Sequence, residues 1–167
     1  MAVIGAILGD IAGSQFEFFR PDNLDYKHCE LFTNYCSFTD DTVMTLAVKK
    51  AILEGVDFVK TMRAIGQPYP HAGYGEKFYD WIYGGNPKPY NSFGNGSAMR
   101  VSFVGEYFDT LEDVISWAEK SAEVTHNHPE GIKGAVVTAV CIWMAKHGKS
   151  KEEILQSVSY THLRAHE

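Results

Sequence analysis

The 167-residue sequence is poor in cysteine and has no cluster of positive charge. Its three cysteines, Cys29, Cys36 and Cys141, are odd in number and widely spaced, which argues against a disulfide framework or a CxxC zinc site. That usage is typical of a reducing, cytoplasmic setting. The net charge of −6, without any block of Lys or Arg, argues against a nucleic-acid partner held by charge.

A long uninterrupted apolar run is also absent. The N-terminal stretch "MAVIGAILGDIAGSQFEFF" has no positive flank, and Asp10 and Glu17 interrupt it, so neither a signal peptide nor a membrane span is expected. Hydrophobic residues at 45% and charged residues at 22% are ordinary values for a globular protein. The stretch is therefore predicted to form a buried helix of a soluble protein without a membrane partner.

Helical spacing of apolar residues dominates the chain. It recurs in the N-terminal stretch, after the "TDD" segment, and in "DFVKTMRAI", "EKFYDWIY", "TLEDVISWAEKSAEV", "PEGIKGAVVTAVCIWMAKHG" and "SKEEILQSV". Only "MRVSFVGEYF" alternates as a strand would, and one ambiguous segment does not make a sheet. The sequence therefore predicts an all-α fold, with no internal repeat and no low-complexity tract.

Two interpretations compete for "SFTDDTVMTLAVKK". In the first, Thr39 caps a helix and Asp40 and Asp41 lie in its first turn, where each carboxylate adds ~0.3–1 kcal/mol through the helix dipole. In the second, these three residues supply hydroxyl and carboxylate oxygens, the ligands that Mg²⁺ and Mn²⁺ prefer. Asp10 and Glu17, seven residues apart on one face of the first helix, favour a shared site with this segment.

A second candidate feature is the loop "YGGNPKPYNSFGNGSAMR", which is rich in glycine, proline and asparagine. Glycines allow backbone amides to approach a ligand closely, as in phosphate-binding nests. The alternative is a surface linker, and local sequence does not decide between the two.

Four segments, in order, resemble the ADP-ribosylglycohydrolase family, which includes the dinitrogenase reductase-activating glycohydrolases. They are "GAILGDIAGSQFE", "FTDDTVMT", "GNGSAMR" and "THNHPEGIKGA", and they span Gly5 to Ala135. The resemblance implies an all-α fold with a dinuclear Mg²⁺ or Mn²⁺ centre. It also implies hydrolysis of the glycosidic bond that links ADP-ribose to a modified protein side chain or a small molecule, which would be the partner or substrate.

The resemblance also assigns roles to individual residues. Thr39, Asp40 and Asp41 match the first group of metal ligands, and Glu17 matches a glutamate that acts in catalysis with those aspartates in some members. The residues that match the loop holding the diphosphate and adjoining ribose are Ser92, Phe93, Gly94, Asn95 and Gly96. His126 matches a histidine of the ADP-ribose site, although helix capping or core packing is the commoner role for a histidine in such a segment.

The sequence departs from the family in its C-terminal part. The family's second ligand group, an Asp-x-Asp-Ser/Thr segment, does not occur here, so residues 1–158 are expected to be the N-terminal part of one truncated domain. Residues 159–167 are interpreted as a non-native tail, because "VSYTHLRAHE" departs from the helical pattern that "SKEEILQ" begins. With one side of the metal site missing, the 167 residues alone are expected to be inactive.

Two other functions stay open at this point. One is a non-catalytic ADP-ribose-binding or crystallin-like structural relative, which the presence of Glu17, Asp40 and Asp41 disfavours. The other is an unrelated helical metal-dependent phosphohydrolase, which the Gly-Asn-Gly loop disfavours. The acceptor group and the preferred metal are not encoded in any recognisable motif.

Overall fold

The structure is a computed structural model that describes residues 1–18, 21–25 and 27–163, with side chains described as far as Val158. Within those ranges there are eight α-helices and no strand, which confirms the all-α prediction. The helices are α1 (Ala2–Glu17), α2 (Asp40–Glu54), α3 (Phe58–Gly66), α4 (Glu76–Tyr83), α5 (Ser102–Tyr107), α6 (Leu111–Glu123), α7 (Pro129–Lys146) and α8 (Lys151–Leu163).

Helix α2 is central to the core. Met44, Ala47 and Val48 on this helix are fully buried, and α2 packs against α1, α3 and α5. The helix ends at Gly55, whose φ of 63° is the left-handed conformation that glycine adopts without strain. This packing fixes the direction in which the N-terminus of α2, with its two aspartates, faces the loops.

The segment with strand-like alternation forms α5. Four of its six residues are buried, and Val101, directly before it, is buried as well. The order of polar and apolar residues therefore does not mark one buried face of the helix. Helix α5 packs against α7 at Gly105, where a Cβ would lie 2.4 Å from the carbonyl oxygen of Ala139. A short helix buried on most sides has no amphipathic period, which is why the sequence pattern was ambiguous.

Helix α1 is less buried than predicted. Among its residues only Val3 is buried, while Ile4 and Leu8 are 59% and 48% exposed. No described atom comes within 4 Å of a Cβ placed on Gly5, Gly9 or Gly13. The prediction of a buried helix was therefore wrong for the described part of the chain, where α1 contacts its neighbours along one side.

Helix α8 continues past Val158 to Leu163, so its backbone does not break where the sequence pattern changes. Residues 164–167 lie outside the described residues, and the non-native origin of the tail stays a prediction. No helix in the described ranges is both long and apolar enough to cross a bilayer.

Candidate functional site

One pocket of about 430 Å³ brings together segments that are far apart in sequence. The end of α1, the start of α2, the 73–78 segment, the 90–100 loop and the segment before α7 all contribute to its wall. The predicted site residues in this wall are Glu17, Asp40, Asp41, Ser92, Gly94, Asn95, Gly96 and His126. Two predicted residues are not in it: Thr39, and Phe93, whose side chain is 72% exposed.

Asp10 joins α1 to the first turn of α2. Its Oδ1 accepts a hydrogen bond of 2.6 Å from the Thr39 hydroxyl, and its Oδ2 accepts bonds from the Thr39 amide at 2.8 Å and the Thr42 amide at 3.1 Å. The Thr42 hydroxyl also donates to Oδ2. Asp10 therefore acts as an anchor that positions Asp40 and Asp41, a role that its spacing from Glu17 did not predict.

Thr39 caps α2, as the first interpretation of this segment required. Its hydroxyl accepts a hydrogen bond of 3.3 Å from the Asp41 amide while it donates to Asp10. Its backbone is extended, the usual conformation of a residue that begins a helix. The cap is compatible with a ligand role for Asp40 and Asp41, because their carboxylates take no part in it.

Negative charge is concentrated at the acidic end of the pocket. Burial, followed by repulsion from Asp41, Glu17 and Asp10, raises the pKa of Asp40 to about 7. The pKa of Asp41 is raised by burial and then by Asp10 and Glu17. In the described part of the chain, no lysine or arginine forms an ion pair with either aspartate. A cation bound here would relieve that repulsion.

The donor set suits a hard divalent cation in chemistry but not in number. Two carboxylates and a nearby hydroxyl are oxygen ligands of the kind that Mg²⁺ and Mn²⁺ take. Across the described ranges, no three His, Cys, Asp or Glu side chains come close enough together to hold a metal ion. These residues would therefore provide one side of a coordination sphere, and other ligands would have to complete it.

The glycine-rich loop is fixed against the segment that precedes and begins α7. The Tyr90 amide donates to the Thr125 carbonyl at 3.2 Å, and the Asn91 amide donates to Asn127 Oδ1 at 2.7 Å. Ser97, which is fully buried, donates through its hydroxyl to the Gly131 carbonyl at 2.7 Å. A loop held at both ends is better placed to bind a ligand than a surface linker would be.

Asn95–Ser97 forms a single 3₁₀ turn within this loop. The amides at the start of such a turn have no carbonyl partner inside it, so they can donate hydrogen bonds to a ligand oxygen. Beside the turn, a Cβ placed on Gly96 would lie 3.0 Å from Cε1 and 3.2 Å from Nε2 of His126. The loop and the imidazole edge therefore form one continuous part of the wall.

We expect Gly131→Ala to lower the free energy of unfolding by about 1–3 kcal/mol through overpacking. A Cβ at this position would lie 2.5 Å from the Ser92 carbonyl oxygen and 3.0 Å from His126 Cβ, so the loop would have to move. Urea unfolding measures the change.

Gly134→Ala on the same helix is the matched control. Its Cβ would meet nothing closer than Ala98 Cβ at 3.9 Å, so helix propensity should leave this variant unchanged or up to about 1 kcal/mol more stable. Equal stability of the two variants would mean that α7 does not hold the loop.

Several residues of the wall were not predicted from the sequence. They are Gly73, Gly75, Glu76, Lys77, Phe78, Tyr90, Met99 and Arg100. The first five lie just before and at the start of α4 and carry no motif, so only the tertiary packing brings them to the site. Arg100 is the last residue of the glycine-rich loop and of the "GNGSAMR" segment, and that position was the one available signal.

Arg100 is fully buried at the edge of the pocket. Its Nη2 donates to the Ser121 carbonyl at 2.6 Å and to Thr125 Oγ1 at 2.9 Å. Its Nε and Nη1 have no hydrogen-bond partner among the described residues. Burial lowers the pKa of Arg100 to about 10, so the guanidinium remains charged at neutral pH.

His126 is 3% exposed, and burial followed by the charge of Arg100 lowers its pKa to about 4. The unfolded chain binds a proton at this residue below pH ~6.5, whereas the folded chain does not until about pH 4. The His126 contribution to stability is therefore present above pH ~6.5 and is lost as the pH falls through the folded pKa.

We accordingly expect His126→Gln to reduce the loss of stability between pH 7 and pH 4.5 by about 1–2 kcal/mol relative to the wild type. The full pKa shift would give a larger difference, but water in the pocket screens part of it. Urea unfolding at a series of pH values measures it, and His71→Gln at an exposed position is the control. Parallel stability curves for wild type and His126→Gln would contradict the prediction.

The family model for ADP-ribosylglycohydrolase matches residues 1–166. The chain is similar to ADP-ribosylhydrolase ARH3 of Homo sapiens, with 30% identity over 89% of this chain and 50% of that protein. The corresponding protein of Mus musculus is 30% identical over 89% of this chain and 49% of its own length, and that of Xenopus tropicalis is 25% identical over 98% and 54%. The chain thus spans about half the length of the curated relatives it matches.

Proposed function

Because this chain belongs to the ADP-ribosylglycohydrolase family, we propose that its pocket binds ADP-ribose and that, within a longer protein, it hydrolyses the glycosidic bond between ADP-ribose and an acceptor. The observation that carries the proposal is the make-up of the pocket wall, which combines a carboxylate cluster with a glycine-rich loop. The acceptor is proposed to be an ADP-ribosylated protein side chain or a small ADP-ribosyl compound.

These two parts of the pocket wall suit the diphosphate and the distal ribose of ADP-ribose. Backbone amides of Asn95 and Gly96 would bind the diphosphate without a lysine cluster, which suits a protein with a net charge of −6. Ser92 would contribute its hydroxyl to the same region, and His126 would lie against the adjoining ribose. The distal ribose would then lie towards Glu17, Asp40 and Asp41.

The carboxylates would act on the charge that develops during hydrolysis. As the bond from the anomeric carbon to the acceptor breaks, positive charge builds on the ribose ring, and nearby carboxylates stabilise it. Water forms the new bond to the anomeric carbon, and the proton that it loses ends on the departing acceptor. We propose that Glu17, an exposed residue of the pocket wall, acts in this step together with Asp40 and Asp41.

We further propose that Mg²⁺ or Mn²⁺, as a pair in the complete site, is required. Thr39, Asp40 and Asp41 would hold one side of it. When bound, the metal orients ribose hydroxyls and makes water a better nucleophile at neutral pH. The shortage of ligands among the described residues supports a second proposal, that the 167-residue chain alone has little or no activity.

Release of ADP-ribose from ADP-ribosylated peptides by the longer protein, with Mg²⁺, Mn²⁺ or a chelator, tests the proposal. Metal-dependent release by the longer protein and none by the 167-residue chain is the expected result. Binding of ADP-ribose without any release by the longer protein would favour the non-catalytic, crystallin-like alternative. Turnover by the 167 residues alone would overturn the proposed inactivity.

Calorimetry with ADP-ribose, adenosine and ribose tests the loop separately, and Gly96→Val is the informative variant. The added side chain would press on His126 and obstruct the amides, so we expect at least a tenfold loss of ADP-ribose affinity. Gly85→Val is the control, since a Cβ on Gly85 meets no described atom within 4 Å and Gly85 does not line the pocket. Unchanged ADP-ribose affinity in Gly96→Val would favour the alternative that the loop is a surface linker.

A further inference from the structure

A chain of hydrogen bonds connects a buried cation to the imidazole in the pocket wall. Arg100 Nη2 donates to Thr125 Oγ1 at 2.9 Å, and Thr125 Oγ1 lies 2.7 Å from His126 Nδ1. All three residues are buried, with exposed fractions of 0%, 0% and 3%. Because protein groups surround these three residues on most sides, the protein determines where the protons of this hydrogen-bond network lie.

The arrangement follows from counting hydrogens on Thr125. Its hydroxyl has one hydrogen and accepts from Arg100, which can only donate. The two remaining contacts are His126 Nδ1 at 2.7 Å and the Ala122 carbonyl at 3.5 Å. A distance of 2.7 Å is typical of a hydroxyl donor, and 3.5 Å is at the limit of a hydrogen bond. The hydroxyl hydrogen therefore goes to Nδ1, and Nδ1 accepts it.

We infer that Arg100 and Thr125 are positioning residues that hold His126 as the neutral Nε2–H tautomer, so that this N–H donates to an oxygen of the ligand beside Gly96. The Cε1–Nε2 edge of the ring lies against Gly96, which lines the pocket. The tautomer stands on the contacts alone, whereas the identity of the ligand as ADP-ribose rests on the proposed function.

The positive charge of Arg100, at the other end of these hydrogen bonds, keeps His126 neutral. The Arg100 guanidinium and the burial of the ring both disfavour an imidazolium, so the ring presents one donor over the neutral pH range. Among the described residues, Thr125 Oγ1 is the hydrogen-bond partner of Nδ1, and the ring of Tyr90 is tilted, with its centroid 6.1 Å away. An N–H donor close to a positive charge favours a ligand oxygen that accepts hydrogen bonds, such as an oxygen of a phosphate, a ribose ether or a hydroxyl.

Nitrogen-15 NMR of the histidine side chains in the 167-residue chain tests the tautomer directly. The chain has seven histidines, and His126→Gln identifies the signal of His126 by difference. We expect a protonated Nε2 and an unprotonated Nδ1 in the wild type. Thr125→Val removes the hydroxyl at nearly constant volume and should give the other tautomer or a mixture, while Thr125→Ser should restore the wild-type pattern.

Binding of ADP-ribose, measured by calorimetry, supplies the second readout. Thr125→Val should weaken it about five- to tenfold, the effect of one misdirected hydrogen bond, and Thr125→Ser should not. Thr61→Val is the control for loss of a buried threonine hydroxyl, because Thr61 is 4% exposed and bonds only within α3 and its cap.

Each outcome decides a different point. An Nδ1–H tautomer in the wild type, which needs no variant and no ligand, overturns the inference. A wild-type tautomer that persists in a folded Thr125→Val protein also overturns it. The expected tautomer in a chain that does not bind ADP-ribose would support the positioning role while refuting the proposed function.

Discussion

Replacing Asp40 by asparagine is expected to lower metal-dependent release of ADP-ribose by the longer protein by at least about 100-fold while leaving the fold intact. Asparagine keeps the size and one oxygen of aspartate but removes the charge that attracts a divalent cation. The same change removes repulsion with Asp41 and Glu17, so the free energy of unfolding should stay constant or rise. Activity and stability would thus move in opposite directions.

Asp80→Asn is the matched control, because Asp80 is exposed on α4 and does not line the pocket. It should leave both the release assay and the unfolding midpoint unchanged. Calorimetric titration with Mn²⁺ adds a readout independent of turnover, in which Asp40→Asn should weaken binding. Full activity of Asp40→Asn would refute the ligand role and leave Asp40 as a residue of the first helical turn.

The fold was largely predictable because most helices are amphipathic or have clear ends. Helix α6 begins at Leu111 after the Thr110 cap and buries Val114 and Ala118 one turn apart, as its sequence pattern indicates. Helices α1 and α5 were harder for opposite reasons. α1 is apolar yet mostly half-buried in the described part of the chain, and α5 is buried on most sides. Periodicity reports a helix only when one face is buried and the other is not.

The site was predictable only where a motif carried it. Residue types alone singled out the Thr-Asp-Asp segment and the glycine-rich loop, and the resemblance then assigned roles to their residues. The structure has most of those residues in one pocket wall, although their roles stay predictions. Arg100 was missed because an arginine at the end of a loop is usually on the surface, and only the fold shows that it is fully buried. The 73–78 segment contributes through long-range packing that no local pattern encodes.

Asp10→Ala is expected to cause the largest loss of stability, about 2–4 kcal/mol, because one carboxylate satisfies two amides and two hydroxyls of the adjoining segment. Hydrogen bonds to a charged group contribute about 1.5–3 kcal/mol each at most, and water would replace part of them at this half-buried position. For a chain of this size that loss corresponds to a fall in Tm of roughly 5–15 °C. Thermal and urea unfolding measure it.

The same substitution should also distinguish positioning by Asp10 from metal binding by Asp40 and Asp41. Without Asp10, the first turn of α2 is no longer fixed to α1, so Asp40 and Asp41 lose their placement relative to Glu17. Mn²⁺ binding should therefore weaken although all three proposed ligands remain.

Asp109→Ala is the control, since the Asp109 side chain is 90% exposed and its pair with Lys146 is worth less than about 1 kcal/mol. Asp10→Asn, which keeps one acceptor oxygen, should fall between Asp10→Ala and the wild type. Stability of Asp10→Ala within about 0.5 kcal/mol of the Asp109→Ala control would show that the four bonds to Asp10 do not hold α1 and α2 together.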